Sequence, residues 1–518
     1  MAISRRHFFF GSLLAGAVPK GGFGSTPSLK LLGYKSPNEK LNIASIGAGG
    51  KAASDIKGCA ATENIVALCD VDDKSAAEIY KQFDKPPKYR DFRKMLDQEG
   101  KGIDAVIVTV PDHMHAVAAM AAMERGKHVY VQKPLTRTVW EARMLTEAAA
   151  RYGVATQMGN QGYSNEGTRQ CAEMIWNGEI GDVHTVYAWT DRPIWPQGLT
   201  EVPAPTAVPE TLDWDLWLGC AQQRPYTSGG DGYPAGFAHG NFYQPANWRG
   251  FYDFGCGSLG DMACHILGAA NMALKLGAPT SVECVKKEGT SSFMFPKSST
   301  IKFEFPARGS MPPVTIYWSD SQKENPKVDG VPDGELIGDL PNPRAGQARG
   351  GAAAAGGRPV VLPSPYVGRV FNYEQFTSGM EEAKAAGRTV RTPSADGSLF
   401  VGNKGMITTG TYGEETRLVP MDKMKDYHFP PELLTRSPSG FDAHYRDWIR
   451  ACKGGDHACS NFSVAGPFTE WIVMAVISTR VEGRLEWDPA RLRFTNNAEA
   501  NKYVRPFYRK GWAPTWKG

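Results

Sequence analysis

The sequence predicts an α/β protein: a doubly wound parallel sheet first, then an α+β domain on a mainly antiparallel open sheet. Three observations carry that expectation. From residue 41 onward, short apolar runs alternate with helical stretches. After about residue 162 the texture changes to segments in which polar and apolar residues alternate. At 518 residues the chain is also too long for one ordinary core.

Runs at 41–46, 65–69, 105–110, 128–131 and 155–158 are almost wholly apolar. Strands buried on both faces read this way, and the helical stretches between them, such as 116–125 and 140–152, supply the parallel crossovers. Segments 183–189 and 299–305 alternate instead, as half-exposed strands do. The expected boundaries are a leader and linker at 1–37, a nucleotide-binding domain at 38–160 and an α+β domain at 161–518. Within the last, 319–365 reads as a mobile insertion carrying the low-complexity run 350–357.

Hydrophobic content of 42% and aromatic content of 11% are those of a globular protein. The net charge of +4, with no basic stripe, excludes nucleic acid as the expected partner. Nine scattered cysteines without a Cys-x-x-Cys pair argue against a disulfide scaffold or a zinc cage, leaving a Cys452–Cys459 pairing open. Ser4-Arg5-Arg6-His7-Phe8-Phe9, followed by a short apolar run to Val18, is a twin-arginine signature. It predicts passage through the twin-arginine translocase and a periplasmic or secreted mature protein.

Gly47-Ala48-Gly49-Gly50-Lys51-Ala52 follows the first strand and opens a helix, the context in which this glycine pattern binds a dinucleotide. Gly47 is expected to allow the tight turn, Gly49 to admit the pyrophosphate, and Ala52 to let helix pack on strand. Gly50 completes the turn, and the phosphate rests on the helix N-terminus. Asp70 ends the second strand close to the ~20 positions on that a ribose-binding carboxylate requires, which favours NAD over NADP.

Two further segments, Asp104 to His115 continuing to Pro134, and Asn247-Trp248-Arg249 with Gly257 to His265, complete a pattern. With the glycine turn they resemble the Gfo/Idh/MocA family, named for glucose–fructose oxidoreductase and inositol dehydrogenase. The resemblance covers about residues 41–275, then 402–418 and 441–487. It implies a Rossmann domain and a carbohydrate or polyol substrate. It implies catalytic roles for Lys133, Asp261 and His265, and cofactor contacts from Pro111, His115, Gln132 and Lys133. Gln132 stands where the family usually carries an acid. A homo-oligomer paired through the open sheet face is also implied.

The residues make chemical sense without the resemblance. Lys133 follows a buried strand, where a lone ammonium is costly and an alcohol oxygen is a natural partner. Asp261 and His265, four apart, share one face of an apolar and therefore buried helix, where polar groups need partners. An intrahelical hydrogen bond between them is the structural alternative. His113 and His115 are expected on the loop after the third strand, lining the crevice, with Trp248 and Arg249 as substrate contacts. Outside the cytoplasm free NAD is not replenished, so the expected cofactor is a tightly bound NAD restored in each cycle. Hydride transfer at a sugar, glycoside or polyol hydroxyl meets this condition, and so does a redox-elimination glycosidase. A non-catalytic sugar-binding protein is the alternative of another class.

Overall fold

A computed structural model describes residues 38–229, 241–340, 396–437 and 443–516. It also describes the ribbon Tyr366–Val367/Val370–Phe371 and the single positions Glu381 and Ala385. The twin-arginine segment and the run 350–357 lie outside these residues. Six parallel strands form the first sheet: β1 (Asn42–Ile46), β2 (Asn64–Cys69), β3 (Lys88–Tyr89), β4 (Ala105–Val108), β5 (His128–Gln132) and β6 (Thr156–Gly159). Their order is β3-β2-β1-β4-β5-β6, as a doubly wound domain requires. The order reverses between β1 and β4, so a crevice opens beyond the carboxyl ends of those two strands. Edge strand β3 escapes sequence reading because two residues show no period.

Both faces of this sheet are covered, but not only by the expected crossover helices. The helix Ala443–Cys452 sends Tyr445, Trp448 and Ile449 into the core under Ile43 and Ile56. A Cβ on Gly58 would lie 2.4 Å from the Tyr445 ring, so glycine there admits the helix. On the opposite face, helix Phe462–Ser478 runs beside Val139–Tyr152, with Arg143 Nε 2.7 Å from Glu470. The chain therefore returns to the first domain after residue 443, where the sequence placed everything beyond 161 in the second.

The second sheet comprises β7 (Val183–Trp189), β8 (Ser281–Glu288), β9 (Ser298–Phe305) and β10 (Val314–Ser319). The ribbon supplies β11 and β12 and stands apart from it. Strands β13 (Gly397–Gly402), β14 (Met406–Thr409), β15 (Arg417–Val419), β16 (Leu485–Asp488) and β17 (Arg493–Phe494) complete it. The order is β15-β14-β13-β7-β10-β9-β8-β16-β17, antiparallel except for the parallel pair β7/β10. In β9, Ser299, Ile301, Phe303 and Phe305 turn inward. Trp471 of helix Phe462–Ser478 packs on Phe303 and Phe305 at 5.1 and 5.4 Å, so this helix is sandwiched between the two domains.

Residues 320–340, expected as part of a mobile insertion, are docked. Ile337 packs with Trp189, Leu399 and Val419, and the buried Arg417 donates to Leu336 O and Gly338 O at 2.9 and 3.0 Å. The nine cysteines, Cys452 and Cys459 included, are free thiols. Among the described residues no helix is long and apolar enough to cross a membrane.

Candidate active site

A cleft of about 570 Å³ lies at the reversal point between β1 and β4 and extends to the second domain. At one end sits the glycine turn, in which each glycine has its own reason. Gly47 (φ 97°) would place a Cβ 2.0 Å from Thr109 O, so the close approach of the β4 loop demands glycine. At Gly49, which borders the cleft as expected of a residue near the pyrophosphate, a Cβ would also strike Ser75 Oγ at 2.0 Å, so glycine there admits the helix Asp73–Gln82 as well. Gly50 (φ 54°) has nothing within 4 Å of a Cβ and borders the cleft. Helix Lys51–Ala60 starts there without a side-chain cap, and Ala52 is fully buried as expected. Ala52 and Ala53 N–H already donate to Gly49 O (3.1 Å) and Gly50 O (3.2 Å), so the groups that could meet an anion are the N–H of Gly50 and Lys51. These features fit a dinucleotide pyrophosphate.

Asp70 borders the cleft too, but its carboxylate is already engaged. One oxygen accepts from Ala48 N–H (2.8 Å) and Gly49 N–H (3.0 Å), the other from Asp72 N–H (3.0 Å). Burial pushes the carboxyl up, against these hydrogen bonds. A carboxylate offers roughly four acceptor sites, so one remains for a ribose hydroxyl. Above it a second-domain segment crosses onto the end of β2: Asp213 N–H donates to Val71 O (2.8 Å) and Asp73 N–H to Thr211 O (3.0 Å). Leu216 and Trp217 of helix Trp214–Leu218 thereby wall the same end of the cleft.

At the other end, Lys133 emerges from β5. The ammonium is not alone, as expected, but donates to Asp261 Oδ1 (2.6 Å) and to Asp261 O (2.7 Å). Arg249 Nε reaches the same carboxylate oxygen at 3.2 Å, its guanidinium lying 4.4 Å from the Trp248 ring. Burial alone would raise Asp261, but Lys133 and Arg249 outweigh it and hold the carboxyl well below the usual carboxylate range. Asp261 sits in a π-helical turn, Leu259–Ala263, a distortion that recurs at functional sites. His265 follows on the next turn, 5% exposed and edge-on to Tyr412 at 4.6 Å. Its Nδ1 has no partner, so that nitrogen makes no intrahelical bond to Asp261. Burial, then the Lys133 charge, pull the imidazole well below its ordinary range and keep it neutral.

The two loop histidines are placed differently from expectation. Helix Asp112–Met123 starts directly after Pro111, which puts His113 and His115 in its first turns. His113 is fully buried, donates to Trp217 O (3.2 Å) and is drawn by burial to about 3. His115, drawn by burial to about 4, is wedged between Val110 O (2.8 Å) and Pro134 O (2.7 Å). Neither ring borders the cleft, so His113 is a core residue rather than a substrate contact. His115 ties together the loops that carry Pro111 and Lys133, both of which do border it.

Sequence reading missed Asp112, Lys51, Gln161, Trp195 and Tyr412, which also line the cleft. Asp112 is buried beside Arg249 and Lys133; burial outweighs these cations and pushes it up to about 7. A folded-state pKa raised from the ordinary carboxyl value means stability is lost as pH rises from about 4 to 7. Asp112→Asn should therefore raise Tm more at pH 8 than at pH 5, measured against wild type at each pH. An equal shift at both would show that Asp112 carries no such burden.

Residues 41–160 match the oxidoreductase family, NAD-binding Rossmann fold, of Gfo/Idh/MocA proteins, and residues 179–288 match that family's C-terminal alpha/beta domain. A glycosyl hydrolase family 109 protein of Solibacter usitatus is 31% identical over 157 residues, 27% of this chain and 35% of that protein. An inositol 2-dehydrogenase of Salmonella typhimurium is 29% identical over 160 residues, 30% of this chain and 46% of that protein. The chain thus spans less than half the length of these relatives. In fold it resembles the WlbA dehydrogenase from Bordetella pertussis, solved with NADH and UDP-GlcNAcA. That likeness has a TM-score of 0.53 at 13% identity, over 87% of this chain and 99% of that one. An oxidoreductase from Thermotoga maritima gives 0.51 at 14%, over 86% and 98%. Two models of the Gfo/Idh/MocA oxidoreductase family thus match this chain, one in each domain.

Proposed function

We propose that this chain is an NAD(H)-dependent oxidoreductase that transfers hydride at a hydroxyl-bearing carbon of a sugar, glycoside or polyol. The observation that carries the reading is the meeting of Lys133, Asp261 and His265 at one end of a cleft whose other end is the glycine turn. The N–H groups of Gly50 and Lys51, at the start of helix Lys51–Ala60, hold the pyrophosphate, Asp70 a ribose hydroxyl, and Pro111 and Gln132 border the nicotinamide. A bound nicotinamide supplies the hydride acceptor and donor. Lys133, oriented by Asp261, donates to the reacting oxygen, and the neutral imidazole of His265, which borders the cleft, takes the hydroxyl proton. Trp248, with Arg249 on its ring, offers a face for a sugar.

Asp70 and the neighbouring Asp72 favour NAD, since a 2′-phosphate would meet two carboxylates. Tight retention is supported by the twin-arginine start and by the segment walling the adenosine end. Export to the periplasm follows from the same start, and pairing through the open sheet face remains the proposed assembly. The glycosyl hydrolase relative favours a second reading, a glycosidase in which oxidation acidifies a neighbouring C–H, the aglycone is eliminated, water adds and the hydride returns.

Mass spectrometry of the gently denatured protein should release NAD rather than NADP. Protein that is empty and takes up neither NAD(H) nor NADP(H) removes both enzymatic readings and leaves a sugar-binding role. Loaded protein incubated with aryl glycosides and with free sugars then separates hydrolysis from net oxidation.

A further inference from the structure

Behind the glycine turn lies a buried carboxylate that the scheme above does not use. Asp55, on helix Lys51–Ala60, is wholly buried. It accepts from Lys51 Nζ (2.6 Å), Tyr445 OH (2.7 Å) and Thr109 Oγ1 (2.8 Å). Gln132 Nε2 donates to both of its oxygens, at 2.9 and 3.1 Å. The donors come from four separate places: the Asp55 helix itself, the loop after β4, the end of β5, and the helix Ala443–Cys452. A carboxylate has roughly four acceptor sites, so this one is saturated, and the single ammonium of Lys51 offsets its charge.

Three of the donors, Lys51, Thr109 and Gln132, border the cleft. Gln132 immediately precedes Lys133 and has no freedom of its own. Its carboxamide is held by Asp55 on one side, and on the other a Cβ on Gly159 would already come within 2.7 Å of it. The Lys51 ammonium is shared with Tyr445 OH (3.1 Å). Its charge, like that of Lys133, acts to keep His265 unprotonated. Two lysine–aspartate pairs, Lys133–Asp261 and Lys51–Asp55, at 2.6 Å each, thus have their lysines on the same cleft.

We propose that Asp55 is a positioning residue for the reacting end of the cleft: through Gln132 it fixes the chain at Lys133, and directly it holds the Lys51 ammonium in place. What matters on this proposal is one carboxylate facing one carboxamide across this contact, not which residue supplies it. The inference rests on the hydride-transfer reading for its kinetic readout, but not for its stability readout.

The test uses the full chain with its cofactor in four forms: wild type, Asp55→Asn, Gln132→Glu and the combined exchange. Asp55→Asn leaves two carboxamides facing each other, and Gln132→Glu sets two carboxylates within hydrogen-bond distance; the combined variant restores one of each. Each single variant should lower kcat by about tenfold or more, Asp55→Asn with NADH affinity changed less than about threefold, and the combined variant should recover most of that loss. The alkaline limb of the pH–rate profile should shift in Asp55→Asn and return in the combined variant, which a merely structural role would not produce. Wild-type turnover and profile in Asp55→Asn, or a combined variant no better than the worse single one, overturns the proposal. Should wild type transfer hydride with no substrate, the reaction proposed above falls. Melting temperatures then decide for Asp55: lost in both singles and regained in the pair upholds the exchange, whereas additive losses overturn it.

Discussion

Lys133→Met should lower hydride-transfer turnover by about a hundredfold or more while NADH still binds. Methionine keeps the length and apolar stem of the side chain and removes only the charge that would polarise the reacting oxygen. The rest of the site stays in place, because Asp261 retains Arg249 at 3.2 Å and is not left as an unpaired buried anion. An interaction made chiefly in the transition state shows itself as equal losses in kcat and kcat/KM, whereas a binding role raises KM with kcat unchanged. Turnover within a few-fold of wild type, with NADH bound, sinks the assignment of Lys133.

The second large effect belongs to the backbone. Gly47→Ala adds a single methyl group, but it enters at φ 97° and would lie 2.0 Å from the Thr109 carbonyl oxygen. The strained φ alone costs on the order of 1 kcal/mol or more, and the clash must be relieved by moving β1 away from the β4 loop. That loop leads to Pro111 and the cleft, so the displacement reaches the cofactor site. The expected outcome is a loss of at least about 3 kcal/mol of stability, read by denaturant unfolding, and of detectable NADH binding. Gly50→Ala is the internal control: its φ of 54° is also positive, yet a Cβ there meets no atom within 4 Å, so the loss should be smaller in stability than in binding. Equal stability losses in the two variants would mean that φ, not contact, sets the cost.

The parallel sheet was legible because its strands are continuous apolar runs, and the turn because glycine, alanine and aspartate stand at informative spacings. Lys133 and Asp261 pair, and His265 borders the same cleft. Three things were not legible, each for a physical reason. A helix start is set by Pro111 and by the loop before it, so His113 and His115 looked like loop residues and are in fact packed in the first turns. The close approach of Ser75 to Gly49 comes from the helix Asp73–Gln82, beyond β2 in the chain, and only the packed structure shows it. Asp55, Tyr445 and Tyr412 reach the cleft region from parts of the chain that no local pattern connects. The one signal available was the Lys51–Asp55 spacing of four on a helix, which most surface helices also show.

The segment that crosses from the second domain onto the end of β2 has a consequence for time rather than for affinity. Its hydrogen bonds to Val71 and from Asp73, and the side chains of Leu216 and Trp217, close over the end of the cleft where an adenosine would lie. A nucleotide whose way out lay past that segment would leave no faster than the segment detaches, whatever the strength of its own contacts. Departure would then be an episode of local unfolding, with the steep temperature dependence of unfolding, and residence time would be set by the strap rather than by the nucleotide.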